Sequence, residues 1–289
     1  MTEHYLTVQE VAERLKIKKT TVYDMIRRGN IKAIKMGKQF RVCADEINHI
    51  LGENQNTHNN KFIICGQDML LDLLCEQANN LCDEPYFVRT HLGSYNGLYA
   101  MYQGKANAAS AHLWDLETDT YNLPFFKRLL PGEDICAFHI AERKVGFYVQ
   151  KGNPKNILKF TDLFKDNIRF IAREKGSGIR VLTDSLLCKY GINPDFKTFE
   201  IAGSHLEAAA AVASGHFDCA IGNQKAAKQI DGIDFVDFKY EKYDIVFKKI
   251  DLEKPQVRTL ISVLQSEHFA NMLSAMGGYN ISNIGKQIL

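Results

Sequence analysis

Residues 207–222, EAAAAVASGHFDCAIG, contain a helix, a stop signal and a strand in one short stretch. The alanine-rich half favours a helix, because alanine has the highest intrinsic helix propensity. Gly215 follows that half and is typical of the residue just past a helix end. The run FDCAIG is short, largely apolar and closed by a second glycine, which is the pattern of a buried strand. The stretch therefore predicts one helix-to-strand unit of an α/β fold.

The same alternation of strands and helices continues on both sides of this stretch. Upstream lie the strand-like run KFIICG, the helical run MLLDLLCEQANN and the segment RFIAREKGSGIRVL, and downstream lies DFVDFKYEKYDIVFKKI. Nearly every junction from a strand to a helix carries glycine, serine or a basic residue. In open α/β sheets, ligands gather at the carboxyl ends of the strands, where helix N-termini offer unpaired amides. The pattern thus predicts an α/β domain with an anion site.

The composition is that of an ordinary globular protein. Of the 289 residues, 45% are hydrophobic and 24% are charged, and the length suggests two or three compact units. Seven cysteines are an odd number and form no C-x-x-C pair, which argues against a disulfide framework and a zinc site. The N-terminal stretch lacks the features of a signal peptide, and no run approaches the roughly 18 apolar residues of a membrane span. We therefore expect a cytoplasmic protein with reduced thiols and no metal.

A basic head precedes a nearly neutral body. Residues 1–52 contain ten Lys or Arg and six Asp or Glu, although the whole chain has a formal net charge of only +2. The remaining residues are therefore slightly acidic in sum. This asymmetry favours a partner of negative charge for the head.

The head has the pattern helix, turn, helix, hairpin, helix. Thr7 and Glu10 fit a capping box at the start of VQEVAERL. TTVYDMIRRG predicts a second helix with Gly29 at its end, and IKAIKMGKQFRV predicts a β-hairpin with basic residues at its tip. Asp45 can cap a closing helix that runs through Leu51. This order predicts a small N-terminal winged helix-turn-helix domain.

The stretch LTVQEVAERLKIKKTTVYDMIRRGNIKAIKMGKQFRV resembles the excisionase/MerR-like family of small DNA-binding domains. The resemblance rests on the L-T-x-x-E-x-A start, the T-V-Y second helix and the G-x-I-x-A-x-K-x-G-x-x-x-R-V hairpin, in that order. It implies that the second helix enters the major groove of double-stranded DNA and that the wing lies along the backbone or minor groove. The predicted DNA contacts are Lys18, Lys19, Thr20, Thr21, Tyr23, Arg27 and Arg28 around the second helix, with Lys35, Lys38 and Arg41 on the wing.

A polar stretch separates the head from the body. Residues 52–60, GENQNTHNN, contain no apolar residue and four asparagines, which is typical of a linker. We place the DNA-binding domain at residues 1–52, the linker at 53–60 and the effector domain at 61–289.

Four stretches of the body resemble type 2 periplasmic solute-binding proteins and the effector domains of bacterial regulators derived from them. They are GSYNGLYAMYQGKANAASAHLWDLETDTYNLPFFKRLLPG, KVGFYVQKGNP, RFIAREKGSGIRVL and HLEAAAAVASGHFDCAIG. Within that superfamily they are most similar to the cytoplasmic molybdate- or tungstate-type oxyanion-binding domains attached to helix-turn-helix heads. The resemblance spans about residues 62–250.

This resemblance implies a two-lobed periplasmic-binding-protein-like α/β domain. Lobe I would comprise about residues 61–143 and 246–289, and lobe II about residues 144–245. The chain would cross between the lobes at KVGFYV and return near YDIVF, and the ligand would lie in the cleft between the lobes.

The turn REKGSGIR, residues 173–180, is the leading candidate for a ligand contact. Glycines let backbone amides approach an anion, Ser177 can donate a hydroxyl, and Arg173 can fork onto two oxygens. The R-x-x-x-S-G spacing also resembles the second-lobe turn of periplasmic tungstate binders, whose arginine touches the oxyanion. Gly178 belongs to the same predicted site, whereas Arg180 can either contact the ligand or pair with a carboxylate inside the helix.

Other candidates lie at the neighbouring strand ends. They are Ser94, Tyr95, Asn96, Gly66, Gln67, Ser204, His205 and His112, with Asn223 and Tyr243 as weaker choices. Ser94 could equally be an ordinary N-cap, the histidines could be structural, and Tyr243 could pack at a hinge. Oxyanion binders usually carry a hydroxyl at the first turn, where this sequence has Gly66, so backbone amides and Gln67 would substitute for it.

Three functions stay open from the sequence. The first is a transcription regulator that binds operator DNA as a homodimer and senses molybdate or tungstate, without a covalent cofactor. The second senses an organic or nucleotide-like anion, which Gly66, Tyr95 and Trp114 could favour. The third is an enzyme on a solute-binding fold with a DNA tether, although no catalytic constellation is evident and Cys65 is better explained as a core cysteine. We therefore expect a regulator and no enzyme.

Overall fold

The structure, a computed structural model, describes residues 5–37, 39–44, 47, 61–83, 86–165, 167–191 and 200–289. The chain divides into two compact units, residues 1–60 and 61–289. The linker predicted at residues 53–60 lies outside the described residues. None of the helices in those ranges combines the length and the apolar character that a membrane crossing requires.

Within its described residues, the head packs two helices against a three-stranded antiparallel sheet. In chain order its elements are β1 (Tyr5–Thr7), α1 (Val8–Arg14), α2 (Lys19–Arg27), β2 (Ala33–Met36) and β3 (Gln39–Cys43). The strand order is β1-β3-β2. Val11, Val22 and Val42 are fully buried, so α1, α2 and the sheet each contribute an apolar side chain to one small core.

The predicted helix start, helix end and hairpin of the head are confirmed. The Thr7 hydroxyl accepts the amide of Glu10 at 3.2 Å, and the Glu10 carboxylate accepts the amide of Thr7 at 2.7 Å, which is a capping box. Gly29 follows α2 with a φ of 76°, and β2 pairs with β3 as a hairpin. The local patterns do not predict β1, which exists because it pairs with the distant β3. The closing helix predicted from Asp45 to Leu51 falls mostly outside the described residues.

The body is built on one mixed sheet of eight strands in the order β11-β10-β12-β9-β13-β6-β4-β5. These strands are β4 (Phe62–Cys65), β5 (Phe87–Thr90), β6 (Ala108–Ala111), β9 (Ile135–Gln150), β10 (Phe170–Arg173), β11 (Glu200–Ala202), β12 (Cys219–Asn223) and β13 (Ile233–Lys248). A separate ribbon pairs β7 (Trp114–Asp115) with β8 (Thr120–Tyr121). Strands β4, β5 and β6 run parallel at one end of the sheet, and β10, β11 and β12 run parallel at the other. The predicted α/β class is confirmed.

Helices cover both faces of this sheet. They are α3 (Leu70–Asn79), α4 (Ser94–Tyr102), α5 (Leu123–Leu129), α6 (Gly178–Lys189), α7 (His205–Ala213), α8 (Gln224–Ala227), α9 (Pro255–Leu264) and α10 (Glu267–Met276). Successive strand residues point to opposite faces. Ile64 therefore packs in the apolar cluster of α3, and its neighbour Cys65 packs in that of α4. In the second lobe Phe147 lies in the cluster of α6, and Tyr148 lies in that of α7.

Two long strands join the two lobes. β9 and β13 pair antiparallel along nearly their whole length. At one end β13 pairs with β6 of lobe I, and at the other end β9 pairs with β12 of lobe II. KVGFYV lies in β9 and YDIVF lies in β13, so both stretches that were predicted to cross between the lobes lie in these strands. The lobes are thus two halves of one continuous sheet.

Candidate ligand site and candidate DNA interface

A cavity of about 290 Å³ lies at the carboxyl ends of the parallel strands of both lobes. Gln67 and His112 follow strands of lobe I, and Arg173 and Asn223 end strands of lobe II. This is the place where open α/β sheets hold their ligands. The wall is formed by Gln67, Asp68, Met69, His91, His112, Arg143, Arg173, Gly203, Ser204, His205, Leu206, Asn223, Lys225, Ala226, Gln229 and Tyr279.

Arg173 is a buried guanidinium in this wall, only 3% exposed. Its Nε donates to Glu174 Oε2 at 2.8 Å and to the Ala202 carbonyl at 3.2 Å. Its Nη2 donates to Glu174 Oε1 at 3.0 Å, and also to Gln67 Oε1 at 3.2 Å. Its Nη1 is buried and has no hydrogen-bond partner among the residues that the structure describes. A buried donor without an acceptor costs free energy, which an anion bound in the cavity would recover.

Two imidazoles stand beside Arg173 in the wall. His205 Nδ1 is also buried, without a hydrogen-bond partner in the described part of the chain, whereas His112 Nδ1 lies 3.1 Å from the Ser94 hydroxyl. Burial, reinforced by Arg173 and Arg143, holds the pKa of His205 well below its usual range. Burial together with the same two arginines also lowers the pKa of His112. Both rings are therefore neutral at pH 7, and each can offer one donor and one acceptor.

An ion-pair network surrounds Arg143, a third part of the wall. The Arg143 guanidinium contacts the carboxylates of Asp68 and Glu241 and lies 4.9 Å from the centre of the Tyr243 ring. Burial alone would lower the pKa of Arg143, but Glu241 and Asp68 outweigh it and raise that pKa. Burial raises the pKa of Glu241, and Arg143 opposes this rise. The Tyr279 hydroxyl donates to Asp68 Oδ1 at 2.6 Å. The charge of Arg143 is thus already matched by protein carboxylates.

Further polar contacts connect the lobes beside the cavity, in addition to the bond between Arg173 and Gln67. Gln67 of lobe I donates from Nε2 to Glu174 Oε1 of lobe II at 2.8 Å. Lys225 of α8 donates from Nζ to the Tyr279 hydroxyl at 3.3 Å, and the same ammonium lies 4.6 Å from the centre of the Tyr279 ring. Burial lowers the pKa of Lys225. A ligand in the cavity would therefore sit between groups that already bridge the two lobes.

Three predicted residues of the glycine-rich turn, Ser177, Gly178 and Arg180, do not line this cavity. Ser177 is the N-cap of α6, since its hydroxyl accepts the amide of Arg180 at 3.2 Å. A Cβ at Gly178 would lie 2.2 Å from the His112 ring, so this glycine packs directly against the imidazole. Arg180 donates to Asp184 at 2.8 Å. The turn thus supports Arg173 and His112 from behind and does not present its own amides to the cavity.

Four predicted residues of lobe I also lie outside the cavity wall. The Ser94 hydroxyl bonds to a cavity imidazole, as described above, and the Tyr95 amide donates to the Gly176 carbonyl at 3.1 Å. A Cβ at Gly176 would lie 2.5 Å from the Asn96 side-chain nitrogen. Gly66 is enclosed, because a Cβ there would lie 2.2 Å from two neighbouring side chains. Tyr95 and Asn96 thus hold the start of α4 against the turn before α6, and none of the four residues lines the cavity.

Five predicted ligand residues are brought together in the wall: Gln67, His112, Arg173, Ser204 and His205. Asn223, a weaker choice, joins them, whereas Tyr243 lies behind Arg143 and is not part of the wall.

Sequence reasoning missed Asp68, Arg143, Lys225 and Tyr279. One signal for Arg143 was available, since it is a basic residue inside the otherwise largely apolar run CAFHIAERKVGFYV. The local sequence carries no comparable signal for Tyr279, which reaches Asp68 across 211 positions of the chain.

Cys65 is not suited to act as a thiol nucleophile. Cys65 is 1% exposed, and burial raises its pKa to about 11, so it is protonated at pH 7. In the part of the chain that the structure describes, no three His, Cys, Asp or Glu side chains gather in a way that could hold a metal ion.

The head presents most of its predicted DNA contacts to solvent. Lys18, Lys19, Thr20, Thr21, Tyr23, Arg27, Arg28 and Lys35 are exposed, Arg41 is half-buried, and Lys38 lies outside the described residues. Lys19 donates to Gln9 Oε1 at 2.6 Å, and the ring of Tyr23 packs edge-on against Phe40. Lys19, Thr20 and Thr21 lie in the first turn of α2, where groove-reading helices contact bases. That these residues bind DNA stays a prediction.

Comparison with known proteins accounts for nearly the whole chain. Residues 76–265 match the PBP superfamily domain, and residues 5–55 match a helix-turn-helix domain. The Bacillus subtilis protein YvgK is 39% identical over 303 residues, a match that covers 98% of this chain and 97% of YvgK.

Solved structures share the fold at low sequence identity. The ABC-type phosphate transport receptor of Vibrio cholerae has a TM-score of 0.54 at 18% identity, covering 76% of this chain and 99% of the receptor. The tungstate ABC transporter structure from Geobacter sulfurreducens has a TM-score of 0.55 at 14% identity, and the match covers 74% of this chain and 98% of the transporter chain. Full-length BenM has a TM-score of 0.50 at 13% identity, and the match covers 95% of this chain and 94% of BenM. These likenesses confirm the fold, while the excisionase/MerR type of the head and the molybdate or tungstate type of the body stay predictions.

Proposed function

Because the chain belongs to the PBP superfamily and carries a helix-turn-helix domain, we propose that it is a transcription regulator that responds to a small anion. The head would bind double-stranded DNA, and the body would bind the anion between its lobes. One observation carries the choice of an anion. Arg173 lines the cavity, and its Nη1 is a buried, permanently charged donor that has no partner among the residues that the structure describes.

The neighbouring groups support an anion rather than a cation. His205 Nδ1 also lacks a partner, and as the donor tautomer it can add a second hydrogen bond to a ligand oxygen. The carboxylates of Asp68 and Glu241 are already paired with Arg143, so they do not offer a free negative site. Among anions, we propose a tetrahedral oxyanion, molybdate or tungstate, as the first candidate. The tungstate transporter named above shares the fold of the body.

The volume of the cavity favours an organic anion as a second candidate. A water molecule occupies about 30 Å³ of liquid, so 290 Å³ corresponds to about ten water-sized groups. A tetrahedral oxyanion has five non-hydrogen atoms and would leave room for several ordered waters. An organic carboxylate could fill the same space directly and contact Met69 and Leu206. BenM, whose effector-binding domain has been solved with benzoate, shares the fold.

We further propose that closure of the lobes changes the DNA affinity of a homodimer. A single helix-turn-helix head has a small footprint, and dimers of such heads read two half-sites. A ligand shifts a conformational equilibrium only by its difference in affinity for the two states. Contacts to Gln67 in one lobe and Arg173 in the other would supply that difference. A regulator of this kind would act in the cytoplasm, without a covalent cofactor and without turnover of its ligand.

A thermal-shift panel tests the choice of ligand on the full chain. The panel comprises tungstate, molybdate, phosphate, sulfate and benzoate. A ligand at about 100 times its Kd stabilises the folded protein by about 2.7 kcal/mol, which raises the Tm of a domain of this size by about 5–11 °C. Stabilisation by tungstate or molybdate supports the first candidate, and stabilisation by benzoate alone supports the second. If no anion raises the Tm, the anion site is refuted.

A further inference from the structure

The forked face of Arg173 is occupied by the carboxylate of the next residue. Glu174 Oε2 lies 2.8 Å from Arg173 Nε, and Glu174 Oε1 lies 3.0 Å from Arg173 Nη2. This is the two-point geometry in which a guanidinium grips a carboxylate or an oxyanion. The remaining donor, Nη1, is the one without a partner. The protein's own carboxylate therefore holds the place in which a ligand oxyanion would be gripped most strongly.

The two side chains differ in their freedom to move. The Arg173 side chain is 2% exposed, and the carbonyls of Ala202 and Gly203 fix it in place. The Glu174 side chain is 28% exposed and can rotate into water without being left buried and unpaired. Displacement would therefore move Glu174 and leave Arg173 where it is.

Displacement of Glu174 would also change the contact between the lobes, because Gln67 of lobe I bonds to both Glu174 and Arg173 of lobe II. Gln67 follows β4 in lobe I, donates to Glu174 Oε1 at 2.8 Å and accepts from Arg173 Nη2 at 3.2 Å. When Glu174 leaves, Gln67 loses its acceptor across the cleft and can donate to the arriving anion instead. The contact between the lobes is then made through the ligand.

We propose that Glu174 is an internal competitor of the ligand, which an anion must displace from Arg173 and which sets the anion affinity of the site. This inference rests on the proposed anion site. It deepens that proposal, because it identifies a residue at the cavity arginine that controls the affinity for the anion.

The experiment compares two carboxylate variants of the full chain by calorimetric titration with tungstate and with benzoate. Glu174→Gln keeps the size of the side chain and removes its charge. Asp184→Asn is the matched control, since Asp184 is paired with the buried Arg180 and is 31% exposed, but neither residue lines the cavity. A hydrogen bond to a charged group is stronger than a neutral one by an amount that corresponds to about a tenfold change in affinity, so the neutral Gln should compete about tenfold less strongly with the anion. E174Q should therefore bind about tenfold more tightly than the wild type, and D184N should bind as the wild type does.

A second variant, Glu174→Asp, keeps the proposal testable if E174Q does not fold. Glu174→Asp keeps the charge, but its shorter side chain cannot reach both Nε and Nη2, so its affinity should also rise. Binding by E174Q with none by the wild type also supports displacement. Unchanged or weaker binding by both variants, beside normal wild-type binding, overturns the role of Glu174 and leaves the anion site standing. If no form of the protein binds either probe, the anion site and the competitor are both overturned.

Discussion

Replacement of Arg173 by methionine is the perturbation that separates an anion site from an accidental cavity. Methionine fills a similar space with a flexible, uncharged side chain. Glu174, the strongest partner of Arg173, is 28% exposed and can turn to solvent, so the fold should tolerate the change. The variant lacks Nη1, a buried and permanently charged donor of a wall residue, for which the described part of the chain offers no partner.

The size of the effect follows from the number of ligand bonds that Arg173 can make. Even before Glu174 is displaced, Nη1 can supply one hydrogen bond to an anion, and bonds to charged groups contribute about 1.5–3 kcal/mol each, so this one bond sets the minimum effect. Loss of that bond corresponds to an affinity about 10- to 150-fold weaker. The released carboxylate of Glu174 would repel an anion and add to the loss.

Isothermal titration calorimetry of the full chain with tungstate measures this difference. Arg169→Met is the matched control, because Arg169 directly precedes β10 at its other end and pairs with Asp218 outside the cavity. R169M should bind as the wild type does. An unchanged tungstate affinity in R173M, with normal wild-type binding, would refute the assignment of Arg173 as the anchor.

Three further predictions concern packing, pH and DNA. Gly178→Ala places a Cβ within 2.9 Å of the His112 carbonyl, so it should lower the free energy of unfolding of the body by about 1–3 kcal/mol, as overpacking does. Urea unfolding followed by the single tryptophan, Trp114 in the body, measures this, and an unchanged midpoint would contradict the close packing. Because burial lowers the pKa of His112, its neutral form contributes stability that is present above about pH 6.5 and is lost as the pH falls, by about 1.4 kcal/mol per pH unit. His112→Asn should flatten the dependence of the same urea midpoint between pH 7 and 5.5, and an equally steep dependence in the variant would exclude His112 as its source. Lys18→Ala should reduce the salt slope of binding to a random-sequence duplex by about 0.9, measured by fluorescence anisotropy, and an unchanged slope would remove Lys18 from the DNA contacts.

The fold was predictable because its signals are local. The capping box of Thr7 and Glu10 involves neighbouring residues, and the alternation of apolar strands with helices is read along the chain. β1 has no such signal, because three residues become a strand only by pairing with β3, more than thirty positions away.

The candidate site was predictable only in part, because its contacts join distant positions. Arg173 could be identified from its turn, since it ends a strand where ligands gather. The sequence does not indicate that Ser177 and Gly178 support the cavity wall without lining the cavity themselves. Ser177 had the right chemistry for a ligand contact, but its hydroxyl is used at once to cap α6. The partnership of Asp68, Arg143 and Tyr279 joins positions that are far apart in the sequence, which no local pattern reports.

The most direct test of an anion held between the lobes is a crystal structure of the full chain grown with tungstate, using the anomalous signal of tungsten. We predict a single strong tungsten peak in the cavity, with an oxygen about 2.7–3.2 Å from Arg173 Nη1 and another near His205 Nδ1. Tungsten found only on the surface of the protein, with Nη1 still without a partner, would contradict the assignment.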